Sequence, residues 1–169
     1  MTTDNAAMLK ELTANMNEHG QKCIELLMAY ELACLGYDLQ WQRSKDAMTR
    51  VLQEHEFYAD MDCDRCGVKA GDRVMDEDTA WLLSKEDFER VQELQHPILV
   101  AEGITDENGY YIEKWADIRC DARRELVDAL IETLPAALRP VFDRNKWNVV
   151  QMDKLIKLFK NNLKKKEAA

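Results

Sequence analysis

The sequence predicts a mainly α-helical fold with a small β-hairpin element, an α+β chain. Its order is an N-terminal helical hairpin or bundle, a cysteine-containing loop, the hairpin and two C-terminal helices. Three observations predict it. Apolar residues recur at the helical period over most of the chain. Only 6 Gly and 3 Pro interrupt 169 residues, and 46% are hydrophobic against 33% charged, the composition of a compact helical globule. One Asn-Gly dipeptide, Asn108-Gly109, lies between β-rich runs, a hairpin signature because both residues tolerate positive φ. The length suits one domain over 1–169. Its segments are helical (1–56), an acidic loop or knuckle with the hairpin (57–115), and C-terminal helices with a basic tail (116–169).

From about Thr3 to Glu18, Met8, Leu9, Leu12 and Met16 hold helical spacing, with Thr2, Thr3 or Asp4 as N-cap. His19-Gly20 punctuates this helix. In the second, Cys23, Ile24, Leu27, Met28, Leu32 and Leu35 form an apolar face wide enough to be buried against more than one neighbour. Gly36 is a candidate break or end of this helix, and Tyr37, Trp41, Met48, Val51 and Leu52 continue the period to about His55, so that the first third is read as two or three helices.

Between Phe57 and Ala80 the period disappears and Asp, Gly and paired Cys take over, as in a turn-rich knuckle. Ser84 followed by Asp87 resembles a capping box opening a helix that buries Phe88, Val91 and Leu94. That helix is expected to end at His96-Pro97, since a proline pushes the preceding residue out of the helical region. Ile98-Leu99-Val100 and Tyr110-Tyr111-Ile112 are read as the two hairpin strands, joined by a third near Arg73–Met75 or Trp81–Leu83. Trp115 to Leu134 is the most regular helical pattern. Pro135 and Pro140 bracket a short connection, and a last helix runs from roughly Trp147 to Leu163, aligning Met152, Leu155, Ile156, Phe159 and Leu163.

Charge narrows the function classes. The net −9 conceals an uneven distribution: residues 54–132 carry 9 basic and 22 acidic residues, whereas residues 133–169 carry 9 and 3. An acidic centre repels phosphate backbones, so direct nucleic-acid binding is not expected outside the tail. No apolar run approaches the roughly 18 residues of a membrane span, and the first twenty residues do not resemble a signal peptide. The expected location is therefore the cytoplasm. No Gly-rich phosphate loop, Gly-x-Ser-x-Gly or His-Glu-x-x-His occurs, and the Asp106–Gly109 run fails as a calcium loop because Ile104 and Trp115 would fall at ligand positions.

The most informative stretch is Cys63-Asp64-Arg65-Cys66-Gly67-Val68-Lys69-Ala70-Gly71-Asp72. Two cysteines three apart can clasp one zinc, with a glycine after the second to allow the tight backbone. One structural zinc is thus the candidate cofactor. A tetrahedral site needs further ligands, and Cys120, His55 and His96 complete the pool with Cys63 and Cys66. Two other readings stand beside it, a redox dithiol and a pair of free thiols. Asp60, Asp62, Asp64 and Asp72 are expected to raise both thiol pKa values. Cys23 and Cys34, among apolar residues, are expected to be packing.

The turn Cys63-Asp64-Arg65-Cys66-Gly67-Val68-Lys69-Ala70-Gly71 resembles that of the TraR/DksA family of bacterial RNA polymerase regulators, which set Cys-Asp-x-Cys-Gly-Val-x-x-Gly after a helical hairpin. The resemblance covers about ten residues. The family's second cysteine pair would fall at Ser84 and Asp87, neither a cysteine, and the residues that follow have no place in that fold.

In the last helix, Lys157, Lys160 and Lys164 lie on one flank of the apolar stripe and are the candidate contact residues for nucleic acid or a partner. The leading functional expectation is a non-enzymatic interaction or regulatory protein acting through protein–protein contacts, with a partner of basic surface. Alternatives are an acidic nucleic-acid mimic inhibiting a nucleic-acid-binding protein, a metal- or thiol-dependent enzyme, and a nucleic-acid binder working through the basic helix. A homo-oligomer is compatible with the sequence.

Overall fold

The structure, a computed structural model, describes residues 20–144 and 148–167. In chain order it contains helix α1 (Gly20–Glu54), a 3-10 turn (Glu77–Leu82), and helices α2 (Lys85–Ala101), α3 (Trp115–Glu132), α4 (Arg139–Arg144) and α5 (Val149–Glu167). The mainly α class therefore holds. The helix expected over Thr3–Glu18, and the Trp147 start of the last helix, lie outside the described residues. No described helix is long and apolar enough to cross a membrane. The described chain forms two compact units, residues 20–35 with 116–167 and residues 36–115.

The second and third expected helices are one. Gly36 lies inside α1 and does not break it, because a single glycine costs a helix interior only about 1 kcal/mol relative to alanine.

In the first unit, Cys23 and Leu27 of α1 pack with Leu126, Val127 and Leu130 of α3 and with Met152, Leu155, Ile156 and Phe159 of α5. Arg123 joins α3 to α5, donating to the Val149 carbonyl (2.9 Å) and to Asp153. Met28, Leu32 and Leu35, expected to be buried, are 67%, 63% and 55% exposed. They sit roughly 100–160° round α1 from Cys23 and Leu27, whereas the core takes those two residues together with Ile24, Leu26 and Tyr30.

In the 36–115 unit, Val51 and Leu52 at the end of α1 meet Phe57, Ala59, Cys63, Val74, Ala80, Leu82, Leu83 and Val91. The segment between α1 and the 3-10 turn is irregular but packed. Its backbone is satisfied locally, with Val74 donating to the Phe57 carbonyl and Asp60 to that of Leu82, both at 2.8 Å.

The β-hairpin is not formed. Among the described residues, pairing amounts to isolated antiparallel bridges: Tyr58 with Arg73, Ala59 with Leu83, Cys63 with Val68, and Thr105 with Tyr111. Arg73 and Leu83, expected to extend a hairpin, pair instead with the chain around Ala59. Ile98-Leu99-Val100 is the last turn of α2, which runs through Pro97. Ser84 caps this helix as expected, its hydroxyl accepting from the Asp87 amide at 3.1 Å.

The end of α2 is set by Gly103, not by Pro97. Gly103 adopts φ 66° and donates to the Val100 carbonyl, while Ile104 donates to that of Leu99. This is the Schellman pattern of crossed bonds at a helix C-terminus, sealed by the packing of Ile104 on Leu99. The helix thus continues to this cap through Pro97, although an interior proline costs ~3 kcal/mol. The Asn108-Gly109 turn survives as a tight loop in which Asp106 Oδ1 accepts from the Asn108 and Tyr110 amides, each at 2.9 Å.

Candidate functional site: an aromatic cleft and a cysteine turn

Two stripes of helix surface in the 36–115 unit border a cleft of about 570 Å³. From α1 come Trp41, Ser44, Lys45 and Met48, which share one face at helical spacing. From α2 come Phe88, Gln92, Gln95, His96 and Leu99, likewise on one face. The 3-10 turn and the 105–111 loop complete the walls with Trp81, Thr105 and Tyr111.

Local structure explains why these aromatics stay out of the core. In the 3-10 turn, Asp76 caps the Thr79 amide at 3.0 Å, and Ala80 and Leu82 point inward, which leaves Trp81 between them facing out. Trp81 is 55% exposed, Trp41 50% and Tyr111 41%. Phe88 and Met48 are half-buried beneath them and pack on the core.

Polar groups are placed sparingly. Lys45 Nζ binds Glu77 at 2.6 Å and Asp78 at 3.0 Å. These bonds raise the lysine pKa, and the lysine in turn lowers that of Asp78. Gln95 is buried and spends its amide on the Ser44 carbonyl at 2.7 Å, tying α2 to α1. Thr105 is buried, and its Oγ1 has no hydrogen-bond partner among the described residues. A buried hydroxyl without a partner costs about 1–3 kcal/mol.

The cysteine turn lies in the same unit. Cys63 and Val68 close it with paired backbone bonds of 2.8 and 3.2 Å, and Gly67 takes φ 71°. The two sulfurs are 2.9 Å apart, and the Cys66 amide donates to Cys63 Sγ at 3.3 Å. Cys63 is buried and Cys66 exposed. Hydrogen bonding from the Cys66 thiol, and secondarily from the Cys66 and Arg65 amides, holds the Cys63 thiol below its ordinary pKa despite burial. The expected upward push from the acidic neighbours is thus corrected at Cys63, where Asp64 contributes least of these causes. Cys66 is pushed up, first by its bond to Cys63.

The remaining predicted ligands are dispersed. His55 follows the end of α1 with its ring edge-on to Phe57, centroids 6.4 Å apart. His96, on the cleft wall, bonds through Nε2 to the Glu107 carbonyl at 3.2 Å. Cys120 is an exposed residue of α3, in the other unit. Among the described residues, no three His, Cys, Asp or Glu side chains are grouped to hold a metal ion, so Cys63 and Cys66 supply two sulfurs and no third ligand. Lys157, Lys160 and Lys164 do share one α5 surface beside Tyr30 and Cys34, where Lys160 pairs with Glu31 at 2.8 Å.

Sequence reasoning missed the cleft. It placed Trp41 in the helical period, Trp81 in a candidate third strand and Tyr111 in a hairpin strand. The available signal was Thr105 with two tyrosines just beyond a helix-ending glycine. The chain matches no protein-family model, no curated protein and no solved structure. Its likeness to the polymerase-regulator turn stays confined to residues 63–71.

Proposed function

We propose that this chain is a non-enzymatic interaction or regulatory protein acting through protein–protein contacts, and that its contact site is the aromatic cleft of the 36–115 unit. The occupant is a basic segment of a partner protein that inserts an apolar side chain between Trp41, Trp81 and Tyr111. The observation that carries this reading is the gathering of three half-exposed aromatics in one cleft. Tryptophan and tyrosine are the side chains that dominate binding energy at protein interfaces, because each buries much area for little lost rotamer freedom.

Charge selects the partner. Residues 36–115 carry 9 basic and 19 acidic residues. A field of that sign steers basic segments toward the unit and rejects acidic ones.

The test is fluorescence anisotropy with two labelled peptides of identical apolar content, one with lysines and the other with glutamates between the apolar positions. The basic peptide is expected to bind, weakening as salt rises, and to lose about 30-fold in affinity in Trp81→Ala, the ~2 kcal/mol of an interface anchor. Equal binding of both peptides, or unchanged binding in Trp41→Ala and Trp81→Ala, overturns the proposal. A salt-sensitive pull-down run with wild type beside Trp81→Ala then identifies the natural partner by what only the wild type retains.

A further inference from the structure

We infer that Cys63 and Cys66 are a reversible dithiol–disulfide pair, closed by exchange with a small disulfide of the glutathione class. The pair is separate from the proposed binding function and rests on its own geometry. Its sulfurs lie 2.9 Å apart, already inside ordinary sulfur–sulfur contact, so a disulfide of about 2.05 Å needs a shift of under about 1 Å. The backbone is pinned for that closure: Cys63 and Val68 exchange two bonds, Asp62 Oδ1 accepts from the Ala70 amide, and Asp72 Oδ2 accepts from the Lys69 amide, the last two at 2.8 Å.

The two thiols divide the work by exposure. Cys66 is open to solvent, whereas Cys63 is only 8% exposed and sits in the core cluster. A small disulfide therefore meets Cys66 first. The Cys66 thiolate, having lost its proton to solvent, attacks one sulfur of the small disulfide. The S–S bond breaks, a mixed disulfide forms on Cys66, and one small thiolate departs and takes a proton. Cys63, which holds the Cys66 amide as a donor to its sulfur, then loses its proton to solvent, attacks Cys66 Sγ and expels the second small thiolate, which takes up a proton. Two protein thiols are oxidised and one small disulfide is reduced to two thiols.

This order also explains why the asymmetry of the pair differs from that of an exchange enzyme. A nucleophile serving large protein substrates must be exposed and acidic at once. Here the exposed sulfur is that of Cys66 and the buried one, held by the Cys66 amide, is that of Cys63, which suits closure by a small molecule.

The test is equilibration of the full-length protein in buffers of reduced and oxidised glutathione, followed by acid quench, alkylation and site-resolved mass spectrometry. Wild type is expected to lose two hydrogens, with Cys63 and Cys66 becoming resistant to alkylation together and recovering together on reduction. Cys63→Ser is expected to stop at a glutathione adduct on Cys66, and Cys66→Ser to leave Cys63 unmodified while the protein is folded. The inference is overturned if wild-type Cys66 accumulates the adduct to the level seen in Cys63→Ser. It is equally overturned if zinc-free wild type forms no disulfide while stoichiometric zinc shields both thiols, which would make the turn a metal clasp.

Discussion

The indole of Trp115 lies directly on the Cα of Gly36, so close that a β-carbon built on that glycine would overlap the ring. Gly36 sits inside α1 and Trp115 opens α3. The glycine is therefore a packing notch and not a helix stop. Gly36→Ala gains about 1 kcal/mol of helix propensity yet forces a rigid ring aside, at an overpacking cost of about 1–3 kcal/mol. The expected result is a lower melting temperature for Gly36→Ala. In a Trp115→Ala background the same substitution is expected to raise it, and a double-mutant cycle by thermal unfolding checks the reversal.

Thr105 tests the cost of a buried hydroxyl without a partner. Replacing its buried, unpartnered hydroxyl by a methyl group in Thr105→Val removes a desolvated polar atom at nearly constant shape. The protein is expected to gain about 1 kcal/mol in urea unfolding. A loss of stability would mean that the hydroxyl is satisfied within the folded chain.

Pro97 tests the helical reading of Ile98-Leu99-Val100. If α2 runs through Pro97, Pro97→Ala restores an amide able to reach the Glu93 carbonyl and removes the ring's clash there. Against this stands about 0.4–1 kcal/mol of unfolded-chain entropy that the proline had removed. The net expectation is stabilisation of about 2 kcal/mol. A strand start at this position predicts no gain, and chemical unfolding of the variant distinguishes the two.

Tyr30 sets a pH limit on the first unit. Its pKa is pushed up to about 12, first by burial and then by the hydrogen bond to Cys34. Because the folded value lies above the ordinary one of about 10, its contribution to stability is complete below about pH 10. It is lost as pH rises through about 12. The melting temperature of wild type is expected to fall more steeply than that of Tyr30→Phe over that interval. Parallel curves for the two proteins would remove Tyr30 as the cause.

Much of this architecture is legible in the residue pattern because it depends on local chemistry. The 3.6-residue period of Leu126, Leu130 and Leu134 and the Ser84 cap are each fixed by neighbours a few positions away. The cysteine turn is legible for the same reason, since its bonds close within six residues. The errors fall where a local signal was overruled from a distance. Gly36 was read as a break until Trp115 explained it, and Pro97 as a stop although the Gly103 cap and the Leu99–Ile104 contact lie beyond it. Met28, Leu32 and Leu35 looked buried because a sequence shows a helix's apolar width without showing which arc is used.

The cleft belongs wholly to this second kind. Trp41, Trp81, Thr105 and Tyr111 span seventy positions with no periodicity linking them, and exposure depends on what packs opposite, which is a tertiary quantity. Sequence alone thus determined the mainly helical class, the charge division and the cysteine pair. Only the tertiary structure decided which apolar residues remain outside the core and which of them share a surface, because burial is set by neighbours distant along the chain.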